Sequence, residues 1–140
     1  MNATKQFKIY KVIAGSTATT GTVTGSAVDM GGWEGAVFFG TVGTANAGNY
    51  AKLQQSDDDA VADDYTDIAA SKVTPSVSGN EFHNEIYKPL KRYLKCLLII
   101  GSSSAYGDVF VLLFRGRKAP VVDETTVDAN LIVSPAEGTA

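Results

Sequence analysis

Fourteen glycines, together with many Ser, Thr and Ala residues, cut the chain into short segments, and none of these segments repeats its apolar residues at helical spacing. That punctuation constrains the fold most, because short β-branched runs separated by glycine are what strands joined by turns require. Residues 6–13 place Phe7 and Ile9 on one side and Lys8 and Tyr10 on the other, an imperfect period of two. Residues 22–28 read as a second strand, with Gly25 marking a bulge or a close backbone approach. Gly31-Gly32 breaks the chain, and residues 33–42 form a central strand that is apolar on both faces, carrying Trp33, Phe38 and Phe39. Residues 46–49 supply a turn, and in residues 50–55 Ala51 and Leu53 point inward while Lys52 and Gln54 point out. These two segments are expected to pair as an antiparallel hairpin.

After a polar loop at 56–64 and a short segment at 65–68, the second half holds the densest apolar content. Residues 93–100 and 108–115 are expected to be the core strands, with Pro89 at the entry and residues 101–107 reversing the chain between them. At about 1.5–3 kcal/mol for each fully buried Leu, Ile or Phe, this concentration outweighs the preferences of the neighbouring loops. From Ala119 the character changes. Val121, Val122, Leu131, Ile132 and Val133 are interspersed with acids and follow no period, so residues 119–140 read as an extended arm and residues 1–118 as the domain. An apolar arm suits addition to a strand edge of another subunit, or folding back on its own sheet. The fold class is therefore all-β: an antiparallel, jelly-roll-like β-sandwich with an extended C-terminal arm.

Charge and composition narrow the function. With a net charge of −3 and a pI near 5.0, the chain offers no basic surface for a phosphate backbone, so nucleic acid is not an expected partner. The apolar stretch around Cys96 is interrupted by Lys95 and falls short of the ~20 residues a membrane span needs, so no membrane is expected either. Residues 1–8 are basic without a following apolar run, which does not read as a secretory signal and suits synthesis in a cytoplasm. Cys96 is the only cysteine and His83 the only histidine; they read as core filler and as a loop residue. The serines lie in turn-like runs, without a nucleophile elbow. The acidic loop Asp57-Asp58-Asp59, with Asp63, Asp64 and Asp67, departs from a calcium loop: Ala62 stands where glycine and Ile68 where glutamate would be needed, so a solvated loop is expected. No catalytic residue, metal ligand or cofactor is expected. Arg115, Arg117 and Lys118, with Lys91 and Arg92 near them on an adjacent strand, form the basic concentration and are expected either to serve intersubunit pairing, alongside the apolar arm residues, or to be an ordinary solvated strand end.

Several segments taken together resemble one group of proteins: Gly31-Gly32-Trp33 leading to Val42; Lys52-Leu53-Gln54-Gln55-Ser56-Asp57-Asp58; Asp64-Tyr65-Thr66-Asp67-Ile68; Lys91-Arg92-Tyr93-Leu94-Lys95; Arg115-Gly116-Arg117; and the closing Ser134-Pro135-Ala136-Glu137-Gly138-Thr139. The pattern is similar to that of the small capsid decoration, or cement, proteins of tailed bacteriophages, and extends to tail or neck components. The resemblance implies a non-enzymatic virion protein that binds the outer capsid surface, with the major capsid protein and its own copies, as a homotrimer, for partners. An alternative is a carbohydrate- or receptor-binding sandwich in which Trp33, Tyr50 or Tyr65 stacks on sugar rings.

Overall fold

A computed structural model describes residues 6–116, and these described residues form two antiparallel sheets and no helix. The strands are β1 (Lys8–Ile13), β2 (Ser16–Thr24), β3 (Val28–Asp29), β4 (Gly35–Thr41), β5 (Asn49–Ser56), β6 (Thr66–Asp67), β7 (Glu81–Tyr87), β8 (Tyr93–Tyr106) and β9 (Val109–Phe114). The first sheet runs β1-β9-β4-β7; the second runs β2-β8-β5-β6, with β3 also on β8. Pairing is nested: β1 takes β9, β2 takes β8, β4 takes β7 and β5 takes β6. One long antiparallel ribbon rolled so that β9 also meets β4, and β8 also meets β5, gives this order, which is that of a jelly roll.

The inner faces follow from period-two alternation. Val109, Val111 and Leu113 on β9 and Ala36 and Phe38 on β4 meet Ala51 and Leu53 on β5 and Leu94, Cys96, Leu98 and Ile100 on β8 in one core. Cys96 is fully buried among them, and desolvation pushes its thiol up to about 12. Buried polar side chains tie the connections down. The Asn49 amide donates to the Thr44 carbonyl and accepts from the Ser102 amide, and the Ser71 hydroxyl accepts from Leu53 N–H. The Asn84 amide donates to the Ser71 carbonyl.

Three expectations are corrected. Residues 33–42 and 50–55 are strands, but they lie in opposite sheets, since β4 pairs with β7 and β9 while β5 pairs with β6 and β8. The connection between them arches across the core, anchored by buried Val42 and Asn49. The expected reversal over residues 101–107 is confined to its last residue, because residues 101–106 extend the strand. β8 continues to Tyr106, the turn falls at Gly107 and Asp108, and β8 and β9 are in different sheets. The small residues there serve close approach instead: a Cβ on Gly101 would lie 2.9 Å from the Gly48 carbonyl oxygen, and Ser104 is buried. The second strand begins earlier, at Ser16, and breaks at Gly25, whose N–H donates to the Cys96 carbonyl before β3 resumes the same edge.

Candidate interface

Cross-strand register places side chains on shared faces, and on the outer side of the first sheet they make an apolar surface. Phe110 lies opposite Phe39, with their rings stacked at 5.8 Å, and in the next rung Ile9, Leu112 and Val37 align. In the rung after that, Phe114, Gly35 and Tyr87 align, and the two rings stack at 6.4 Å over the glycine. Ile9 and Tyr87 are 40% and 47% exposed, and the other side chains of these rungs, Gly35 aside, are partly exposed. Lys11, Glu85 and His83 stand at the ends of the rungs, on β1 and β7. His83 is thus an outward-facing strand residue and not a loop residue.

The outer side of the second sheet is built differently. Lys52 reaches Asp67 at 2.7 Å, the Gln54 amide donates to the same carboxylate, and Lys95 lies 4.0 Å from the Tyr65 ring centroid. On this face Lys52, Gln54, Lys95 and Asp67 stand among Tyr50, Leu97 and Ile99, so polar and charged side chains interrupt the apolar ones. The first sheet, by contrast, presents phenylalanine, leucine and isoleucine in continuous rungs.

The acidic loop is organised by its own hydrogen bonds. The Asp58 carboxylate accepts the N–H groups of Val61, Ala62 and Asp63 at 2.8–3.1 Å, which holds its pKa below the usual carboxylate range. Asp63 takes the Lys91 ammonium at 2.6 Å and the Asp57 N–H at 2.8 Å, with the same consequence. Tyr65 donates to Asp59 at 2.6 Å, and burial with this neighbouring carboxylate drives the phenol pKa upward. These carboxylates act as turn caps and ion-pair partners, and no group of three or more metal-binding side chains converges among the described residues.

Of the basic residues, Arg115 sits just beyond β9, donates to the Tyr87 hydroxyl at 2.9 Å and lies 3.6 Å from Glu34. Lys91 and Arg92 are not on a strand beside it. They occupy the β7–β8 connection, where Arg92 grips Asp29 with two 2.8 Å hydrogen bonds and locks β3 to β8. Arg117, Lys118, Val121, Val122, Leu131, Ile132 and Val133 lie outside the described residues. The three aromatic residues that suited sugar stacking are each covered on a face. Gly116 lies against the Trp33 ring, Lys72 sits 4.2 Å from the Tyr50 centroid, and Lys95 covers Tyr65.

The outer apolar face was legible in part: residues 33–42 read as apolar on both faces, and the neighbouring β9 carries the same signal. The uninterrupted run Val109-Phe110-Val111-Leu112-Leu113-Phe114 leaves no polar side for a solvated face. Compared with known proteins, the chain matches no family model, no curated protein and no solved structure.

Proposed function

We propose that the protein is a capsid decoration protein of a tailed bacteriophage, a non-enzymatic component that seats the outer face of its β1-β9-β4-β7 sheet on the shell and stabilises it. One observation carries the reading: the apolar band of Phe39, Phe110, Val37, Leu112, Ile9, Phe114 and Tyr87 across all four strands. An antiparallel sheet that faces water ordinarily alternates apolar with polar residues, and a contiguous apolar face marks an interaction surface. The jelly roll itself carries no weight, because that fold hosts many functions. What supports the choice of a structural role over a ligand-binding one is the extent of the surface. An aromatic and aliphatic band spanning four strands suits a broad partner, and each candidate stacking aromatic has one contact against its ring within the chain. Repetition over many equivalent sites on a shell then raises the avidity of a modest contact.

The test is co-sedimentation of the full chain with shells of its parent phage. Replacing Phe39 and Phe110 together by Ser is expected to leave the circular dichroism spectrum unchanged and abolish co-sedimentation. Lys52→Ala, on the opposite face, is expected to bind normally. Full binding by the double variant would exclude this face as the contact.

A further inference from the structure

The outer face of the first sheet is bordered by opposite charges. Its rungs run Lys11, Phe110, Phe39, His83 and Ile9, Leu112, Val37, Glu85, and Glu81 stands beside Thr41 one rung before His83. The β1 border thus presents an exposed lysine and the β7 border two exposed glutamates, with the apolar residues between them. Lys11 lies 3.4 Å from Asp108, but the two side chains are 48% and 41% exposed, and a pair so exposed holds little energy. The ammonium keeps donors for a second carboxylate. At the corner near Tyr87, Arg115 and Glu34 pair with each other, and Lys88 lies beyond the last rung, 5.3 Å from the Tyr87 ring centroid.

Such borders make the face complementary to itself in one orientation. When two copies stack face to face about a two-fold axis parallel to the strands, the β1 border of each lies over the β7 border of the other. Lys11 then meets His83 of the second copy, with Glu81 and Glu85 one rung to either side, roughly 7 Å along the strand. A two-fold axis across the strands would instead set lysine on lysine and glutamate on glutamate, which like-charge repulsion disfavours. We propose that, off the shell, two copies pair through this face about the axis parallel to the strands. The aromatic and aliphatic rungs bury one another, and Lys11 of each copy stands between Glu81 and Glu85 of the other. Stacked sheets pack in this way about 10 Å apart, with strand directions within about 30°. Four strands about 4.8 Å apart and three rungs about 7 Å apart make roughly 400 Å² per copy, about half of what each partner buries in a stable complex. The pair is therefore weak, and dilution releases single copies. This pairing goes beyond the shell contact proposed above and competes with it, because one face cannot serve both.

The experiment uses the full chain and needs no shell. Sedimentation equilibrium is expected to give a mass that rises from one copy toward two with concentration. Glu85→Lys should weaken the pairing about tenfold, because symmetry repeats the altered contact twice, and adding Lys11→Glu to it should restore the pairing. Zero-length carbodiimide coupling in a mixture of isotope-labelled and unlabelled chains adds a readout that needs no variant: Lys11 should join Glu81 or Glu85 of the other isotope. Within one copy these residues are three strand spacings apart, about 14 Å, too far for a direct amide bond. Single-copy mass at every concentration would overturn the proposal. A pair that forms without these links between copies would also overturn it, as would a double variant that folds by circular dichroism and stays unpaired. Single-copy mass with intact shell binding would sink the pairing alone and leave the decoration role standing.

Discussion

The two sheets share one core yet differ on their outer faces. On the β2-β8-β5-β6 sheet, charges satisfy one another within the chain, as in the Lys52, Gln54 and Asp67 cluster. On the β1-β9-β4-β7 sheet, apolar rungs continue from strand to strand, and the charges stand at the rung ends. The residues of the outer apolar rungs lie outside the shared core cluster. An apolar surface that water does not favour and the core does not use is the kind of face that supports the proposed contact with a partner.

The sharpest way to break this comparison uses two adjacent residues of β4. Phe38 is fully buried, and Phe38→Ala should cost about 3–5 kcal/mol in urea unfolding through the cavity left behind. Phe39→Ala, one residue on and facing outward, should cost no more than about 1 kcal/mol. Equal losses would mean that the outer face belongs to the fold and not to an interface.

Gly35 tests how the outer face is built. A Cβ there would collide with the Phe114 ring, so Gly35→Ala should displace the aromatic rung and destabilise by about 1–3 kcal/mol. Near-UV circular dichroism should report the changed environment of Tyr87 and Phe114.

Acid should act through the carboxylates held by hydrogen bonds and ion pairs. Asp29, Asp58, Asp63, Asp67 and Asp108 all have depressed pKa values, held down chiefly by side-chain hydrogen bonds to Arg92, Lys91 and Lys52 and by backbone N–H groups. A folded pKa below the unfolded one gives stability that is complete above about pH 4 and is lost as pH falls through the folded values. The thermal midpoint should therefore hold from pH 7 to about pH 5 and drop below about pH 4, with a shallower drop in Asp63→Asn. The smallest effect is expected at the solvated face. Lys52→Ala removes an ion pair with a largely exposed Asp67 and should change stability by less than about 1 kcal/mol.

Much of the fold was legible because the period of two is local. Residues 50–55 show it plainly, and Ala51 and Leu53 are buried as their alternation requires. What local pattern does not encode is which strand a segment meets. β4 and β5 follow one another with a turn signal between them, yet they cross the core, because both carry an apolar inner face that packing across the sandwich buries better than a hairpin would. Residues 101–107 misled for a related reason, since glycine and serine serve a turn and a close strand crossing equally well, and only the position of Gly48 decides. The basic cluster had a sound composition but lacked topology: Lys91 and Arg92 lie on the β7–β8 connection and not on a strand, engaged by Asp63 and Asp29. The outer apolar face was readable in the unbroken apolar run of β9, which fits a strand covered on both sides.

Hydroxyl-radical footprinting of the full chain, free and bound to its parent shell, puts the central claim to the most direct test. Phe39, Phe110, Phe114 and Tyr87 should lose labelling on the shell, while Tyr50, on the outer side of the other sheet, keeps it. Undiminished labelling of the four aromatics on a shell that the protein demonstrably occupies would contradict the account.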